Sequence, residues 1–164
     1  KISAAGWHCC AISEHGDLYT WGWNEKGQLG IYISNEKKLP HVIETEEDHS
    51  NEINRRSRSK LKKSNDKSSS VVLPNYALPM LIDIHDSEND CIIENNVIDV
   101  SCGSKHTVIK LDDGSIWGTG CNKYSQLGFS SNEIENISNF KKLNVNIKDA
   151  TIKCGIWATA LITN

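Results

Sequence analysis

The stretch GDLYTWGWNEKGQLG at residues 16–30 returns as GSIWGTGCNKYSQLG at residues 114–128, and the two copies align without a gap at an offset of 98. They share the opening glycine, an internal glycine, an asparagine and the closing Gln-Leu-Gly. Self-similarity at a fixed spacing marks a repeat protein, in which one unit cannot bury its hydrophobic face without its neighbours. The sequence therefore predicts copies of one small structural unit packed side by side.

The shared positions extend upstream of these stretches to a histidine. They are His8, Gly16, Gly22, Asn24, Gln28 and Gly30 in the first copy and His106, Gly114, Gly120, Asn122, Gln126 and Gly128 in the second. A third, truncated copy is present at residues 151–157, which mirror residues 99–105 at an offset of 52. Because the two offsets differ, an insertion or a decayed extra unit lies between the first two copies.

Each copy contains two apolar runs separated by a glycine turn, as in Thr107–Leu111 and Ile116–Cys121 around Asp113-Gly114. An Asp-Gly pair between such runs predicts a β-hairpin with a type I′ turn. The runs alternate poorly between apolar and polar residues, so we expect sheets covered on both faces. Further strands are predicted at residues 39–43, 80–84, 97–102, 143–147 and 150–154.

Glycine and polar residues at the shared positions have structural interpretations. Gly22 and Gly120 lie inside predicted strands, which indicates a close backbone approach where several sheets converge. Gln28 and Gln126 are expected to hold the backbone of the loop that each one ends.

The equivalent residues His8 and His106 are expected to be buried and to bond a neighbouring strand rather than to bind a metal ion. Trp7 and Trp157, which are also equivalent, are expected to pack between repeats.

The motif Gly-Ser-Lys-His-Thr at residues 103–107, followed by Gly120, Asn122 and Gln-Leu-Gly at 126–128, resembles the regulator of chromosome condensation 1 repeat. This resemblance implies an all-β fold, a partial β-propeller in which the chain supplies about three blades of a seven-bladed ring. The predicted ranges are 1–43 for a propeller repeat, 44–70 for a flexible charged insert, 71–128 for a second repeat and 129–164 for a degenerate terminal repeat. Three departures from the family pattern are Ser125 for glycine, Thr119 for an aromatic residue and Ala158 for the histidine.

Composition is that of a globular chain, with 38% hydrophobic and 24% charged residues among 164. The net charge of −3 provides no overall basic field for nucleic acid or anionic lipid, and no apolar run approaches the roughly 18 residues that span a bilayer. The six cysteines are expected to be reduced, with Cys102 and Cys154 as small buried fillers, rather than bound to zinc or paired in disulfides. We expect no catalytic site, no cofactor site and no metal site.

The predicted insert contains an acidic block followed by a basic run. The basic residues are Arg55, Arg56, Arg58, Lys60, Lys62 and Lys63. Three interpretations remain open: a solvated loop, a nuclear-import or partner-docking segment, and a contact to a phosphate backbone. The acidic block lies within about a Debye length and weakens attraction to polyanions, so DNA binding is the least favoured.

The resemblance implies a non-enzymatic protein-interaction module, in the nucleus or cytoplasm and associated with chromatin. The Gly-Trp-His start and the Trp-Gly-Trp-Asn box are similar to the carboxyl-terminal part of one family member, which implies a Jumonji-type histone-modifying oxygenase as partner. The alternative implied by the family's founding member is a guanine-nucleotide exchange factor for a small GTPase. No membrane partner is expected.

Overall fold

The computed structural model describes residues 1–32, 75–147 and 149–163, and within these ranges the chain folds into β-strands joined by turns and loops, without a helix. No helix long and apolar enough to cross a membrane therefore occurs in the described part of the chain. The strands are β1 Ile2–Ala5, β2 His8–Ile12, β3 Leu18–Gly22, β4 Tyr76–Ile82, β5 His85–Asp86, β6 Cys91–Ile92, β7 Val97–Cys102, β8 His106–Leu111, β9 Ser115–Cys121, β10 Asn136–Asn146, β11 Thr151–Cys154 and β12 Thr159–Ile162. The all-β prediction is confirmed.

Two four-stranded antiparallel sheets and a third, two-stranded sheet carry the three sequence copies. The first sheet has the order β1-β2-β3-β4 and the second has the order β7-β8-β9-β10, while β11 pairs with β12. Strands that are adjacent in sequence are thus adjacent in space, which is the arrangement of a propeller blade. A separate small hairpin of β5 and β6 precedes the second sheet. The expected partial β-propeller is confirmed.

The predicted hairpin between the second and third strand of each blade is present, but the predicted type I′ turn is wrong. Gly114 has φ of 87°, whereas Asp113 does not have the positive φ that a type I′ turn requires. The Gly114 amide donates to the Leu111 carbonyl over 3.0 Å. The loop therefore has three residues, a tight turn at Asp112 and Asp113 followed by a glycine in the left-handed region.

Two predicted strands are longer than their apolar runs indicate. The strand expected at 80–84 is β4, which begins at Tyr76, and the run at 143–147 is the end of β10, which begins at Asn136. The pairing of β10 with β9 contains two register shifts. These bulges place buried side chains three residues apart, at Ile137, Phe140 and Leu143, so the two-residue alternation of a regular strand is lost. The strand expected at 39–43 lies outside the described residues.

The second sheet is buried on both faces. Every residue of β8 and β9 is buried, as the poor alternation of their sequences predicts. On one side Ile109 and Trp117 pack with Leu18 of the first sheet. On the other side Val108 and Ile116 pack with Ile152 of the third sheet. The second sheet thus contributes to both hydrophobic clusters, because a neighbouring sheet covers each of its apolar faces.

The glycine inside β9 is required by local geometry. Gly120 has φ of 100°, and a Cβ placed on it would lie 2.8 Å from His106 Cα and 3.2 Å from Gln28 Cα. The nearest crowding atoms belong to the turn between β7 and β8 of the same sheet. The close approach therefore occurs within a blade, and the predicted convergence of several sheets at a narrow centre is not its main cause.

Candidate interaction surface

The turns from β1 to β2 and from β7 to β8 lie at the same end of the sheets as the loops that follow β3 and β9. In the first sheet His8 pairs with Gly22, so the turn from β1 to β2 and the end of β3 are neighbours. The same register pairs His106 with Gly120 in the second sheet. We call this end the loop face, formed by residues 6–7, 23–30, 103–105, 122–128 and 155–158.

The loop after β3 is held by its own side chains. The Asn24 side-chain oxygen accepts a hydrogen bond from Leu29 N over 3.0 Å, and Gln28 Oε1 accepts one from Lys26 N over 2.8 Å. The Leu29 side chain is fully buried beneath the loop. An asparagine, a glutamine and a leucine at this spacing therefore close a short loop without any strand pairing, and Glu25 and Lys26 project from a fixed backbone.

The loop after β9 repeats this arrangement. Asn122 Oδ1 accepts a hydrogen bond from Leu127 N over 3.0 Å, and Gln126 Oε1 accepts one from Tyr124 N over 2.9 Å. Ser125 stands where the first loop has Gly27, and it adopts φ of 56° in the left-handed region. The fold of the loop thus persists although the residue that suits it best has been replaced.

Two pairs of aromatic side chains project from the loop face. Trp7 and Trp23 meet edge to face with ring centroids 5.8 Å apart, and Tyr124 and Trp157 meet in the same way at 5.6 Å. Trp7 is 75% exposed and packs on Trp23 of its own sheet, so the prediction that it packs between repeats is wrong; Trp157 is 49% exposed but packs against the neighbouring repeat, as predicted. Trp157 of the third sheet does contact the loop of the second sheet. These side chains are anchored at one edge and open to solvent at the other.

Charged side chains also lie on the loop face. Lys105 Nζ lies 3.2 Å from a carboxylate oxygen of Glu25, and this ion pair bridges the first two blades across the loop face. Lys105 occupies the repeat position of Trp7 and Trp157. The middle blade therefore presents a cation where its neighbours present an indole.

Beneath the loop face a buried histidine bonds the next blade. His8 Nε2 lies 2.8 Å from Thr107 Oγ1, and the Thr107 hydroxyl donates to the Gln28 carbonyl over 2.7 Å. His8 and Thr107 are both buried. The threonine thus connects the strand of one blade to the loop of the preceding blade, which fixes the two blades relative to each other.

The second histidine makes the equivalent bond to the third sheet. His106 Nε2 lies 3.1 Å from Thr159 Oγ1. Burial lowers the pKa of His106 to about 4. The imidazole is therefore neutral at physiological pH. In the third sheet Ala158 stands at the histidine position, so the chain of histidine bonds ends there.

Sequence reasoning named the positions of the loop scaffold, and the structure brings them together in pairs of equivalent loops. It missed Tyr124, because nothing in the repeat pattern marks an aromatic residue that is present in one copy. It also did not identify the contact between Cys10 and Cys102, since these residues lie far apart in sequence. The basic residues from Arg55 to Lys63 lie outside the described residues.

The repeats of this chain match the family described as Regulator of chromosome condensation (RCC1) repeat, over residues 1–28 and 97–126 and, in a second match, over residues 15–54. The chain belongs to the RCC1 repeat family. The RCC1 domain-containing protein 1 of Homo sapiens is 31% identical over 166 residues, covering 97% of this chain and 41% of that protein. The chain thus spans about two fifths of the length of this relative.

Two solved structures share the fold. Prp20p from Saccharomyces cerevisiae, characterised together with its binding properties to Gsp1p and histones, superposes with a TM-score of 0.60 and 19% identity over 97% of this chain and 29% of its own. The structure of Kap60 bound to yeast RCC1 (Prp20) gives a TM-score of 0.58 and 14% identity over 99% of this chain and 29% of that chain. At such identities the likeness establishes the fold.

Proposed function

We propose that this chain is part of a non-enzymatic propeller that binds protein partners through its loop face. The observation that carries the proposal is the row of half-exposed aromatic pairs on rigid loops. Tryptophan and tyrosine dominate the energetic centres of protein interfaces, because they bury a large apolar area at a small cost in side-chain entropy. The similar structure of Prp20p was characterised together with its binding properties to Gsp1p and histones, and yeast RCC1 (Prp20) was solved bound to Kap60.

The rigid support of these side chains strengthens the proposal. The loops after β3 and β9 are held by buried asparagine and glutamine side chains, so the aromatic rings are arranged before any partner arrives. A preorganised surface avoids the entropy cost of ordering loops on binding. The mixed charges of Glu25, Lys26 and Lys105 on the same face form the polar rim that is typical of such interfaces.

The proposal extends to a nuclear, chromatin-associated role with a Jumonji-type oxygenase as partner. Its support is the identity to the RCC1 domain-containing protein of Homo sapiens over nearly all of the chain.

Affinity capture with the full-length protein tests the loop face. We expect replacement of Trp7 and Tyr124 by alanine to reduce recovery of specific partners by about tenfold or more, the effect of losing an interface hot spot. Leu78→Ala is the matched control, because Leu78 is 77% exposed on the outer strand β4, away from the loop face. Equal recovery with all three proteins would contradict the proposal, and identification of the captured proteins by mass spectrometry decides whether a chromatin factor is among them.

The competing function is guanine-nucleotide exchange on a small GTPase. It is favoured by the similarity of the fold to Prp20p, which was studied for binding to Gsp1p. Exchange requires only a protein surface that displaces nucleotide and Mg²⁺, so it needs no catalytic motif in this chain. A nucleotide-release assay with small GTPases separates the two functions, since strong acceleration by the full-length protein would establish exchange and overturn the non-enzymatic proposal.

A further inference from the structure

Three potential metal ligands meet between the first and second sheets. His8 and Cys10 are on β2, and Cys102 ends β7. A ring nitrogen of His8 and the two sulfur atoms all lie within 4.8 Å of one another, and the Sγ atoms of Cys10 and Cys102 are 3.4 Å apart. All three side chains are at least 96% buried. Residues that are 92 positions apart in sequence thus form one compact cluster.

The hydrogen-bond pattern leaves His8 with an unused lone pair. The Thr107 hydroxyl has one hydrogen, which it donates to the Gln28 carbonyl. Its oxygen therefore accepts from His8 Nε2, so in the neutral imidazole, the form that binds metal ions, Nδ1 carries the free lone pair. Nδ1 is buried and has no hydrogen-bond partner. A buried acceptor without a partner is costly, and a bound cation would provide one.

The two sulfur atoms favour a cation in the same place. They lie 3.4 Å apart, so both can contact one ion. Sulfur is a soft ligand and selects ions such as Zn²⁺ over hard cations.

We propose that His8, Cys10 and Cys102 bind a zinc ion that joins the first two blades. One imidazole and two thiolates are an established ligand set for Zn²⁺, which binds sulfur at about 2.3 Å and nitrogen at about 2.0 Å. At these lengths a tetrahedral site places two sulfur atoms about 3.8 Å apart, so the observed separation needs a shift of about 0.4 Å. The fourth position is open to a water molecule.

Charge balance selects zinc among the ions that prefer sulfur. Two thiolates and a neutral imidazole around Zn²⁺ give a neutral site, whereas Cu⁺ would leave one negative charge in a dry interface. Binding releases the thiol protons to solvent and involves no change of oxidation state. A disulfide is the less favoured alternative, because it would have to bring the Sγ atoms from 3.4 Å to about 2.05 Å across two packed sheets.

The second interface of the molecule provides a natural control. Val108 occupies the repeat position of Cys10, with Ser101 opposite it as Ser3 is opposite Cys10. Cys154 occupies the position of Cys102, next to His106 and Thr159. The second interface thus has the histidine and one thiol, and it lacks only the second thiol of the proposed site.

Metal analysis of the full-length protein tests the proposal, with every variant made in a Cys91→Ser background to remove an exposed thiol. The protein is reduced, freed of metal with a chelator and titrated with Zn²⁺, or with Co²⁺ as a spectroscopic probe. We expect about one tightly bound ion per chain, a thiolate-to-cobalt charge-transfer band and a rise in the unfolding temperature on adding Zn²⁺.

Two substitutions give opposite expectations. Cys10→Val copies the second interface, so the protein should fold but lose the ion, the band and the zinc-dependent shift. Val108→Cys copies the first interface and should raise the stoichiometry to about two ions per chain. The proposal is overturned if Cys10→Val binds Zn²⁺ as the parent protein does, if the parent protein takes up no ion, or if the protein isolated without a reductant contains a disulfide between Cys10 and Cys102.

Discussion

The two interfaces between blades share one architecture and differ in one pair of side chains. At both, a histidine of one blade bonds a threonine of the next, and a cysteine Sγ lies close to a serine carbonyl, 3.5 Å from Ser3 O at the first and 3.3 Å from Ser101 O at the second. At the first interface the cysteine faces Cys10, and at the second the equivalent residue is Val108. The repeated bonds therefore determine how blades stack, while the varied position determines what else an interface can bind.

The glycine of the third strand offers the largest expected effect. Gly120→Ala should lower the free energy of unfolding by about 3 kcal/mol, because the new Cβ meets backbone of its own blade and of the preceding loop, at a positive φ. Gly22→Ala, whose nearest crowding atoms all belong to its own blade, should cost about 2 kcal/mol. Urea unfolding of the purified variants measures both. Equal costs would show that the preceding blade does not contribute.

Acid should act on the second interface through His106. Its folded pKa of about 4 lies below the usual value of 6.5, so the unfolded chain takes up a proton that the folded protein excludes. This contribution to stability is lost as the pH falls from about 6.5 to about 4. Between pH 7 and pH 5 the parent protein should lose about 2 kcal/mol more than His106→Gln, measured by urea unfolding. Parallel losses in the two proteins would show that His106 does not titrate in this way.

Replacing the threonine at each of the two interfaces should lower the free energy of unfolding by different amounts. Thr107→Val removes the acceptor of His8 and the donor to the Gln28 carbonyl at a fully buried site, which should cost about 1.5 kcal/mol. Thr159→Val, at a partly exposed site, should cost about 0.5 kcal/mol, because water can replace the lost bond to His106. Both variants keep the side-chain volume nearly unchanged. If the order of the two costs is reversed, the first interface is not the more tightly bonded one.

The smallest effect concerns the two equivalent loops. Ser125 adopts φ of 56°, where the first loop has Gly27 with φ of 83°. Ser125→Gly should raise the free energy of unfolding by about 0.5 kcal/mol, since relief of backbone strain exceeds the added entropy of the unfolded chain. A thermal shift toward higher temperature checks this, with Ser130→Gly in a nearby loop as the control. A decrease would mean that the Ser125 backbone is not strained.

Much of the fold follows from local sequence. The glycine turns and apolar runs predict the hairpins, and the shared Asn, Gln and Leu positions predict two equivalent loops. The length of β10 is not predictable in this way, because bulges change the spacing of Ile137, Phe140 and Leu143. The turn type also depends on how many residues lie between the two paired strands, and an Asp-Gly pair alone does not specify that number.

The candidate surface and the proposed zinc site are less visible in the sequence. Trp7 and Trp157 have the residue type of a packed core position, yet both project from loop turns at the edge of the sheets. Cys10 and Cys102 have no shared motif, and their spacing matches no common zinc pattern. Only the stacking of one sheet on the next brings them together.

The sequence by itself determined the repeating unit, its hairpins and which residues of successive repeats are equivalent, because these features are encoded in short stretches of the chain. The tertiary structure decided which aromatic rings reach solvent and which thiols meet. Those outcomes depend on how one blade faces the next, and that geometry is set by the packing of whole sheets rather than by any single stretch of residues.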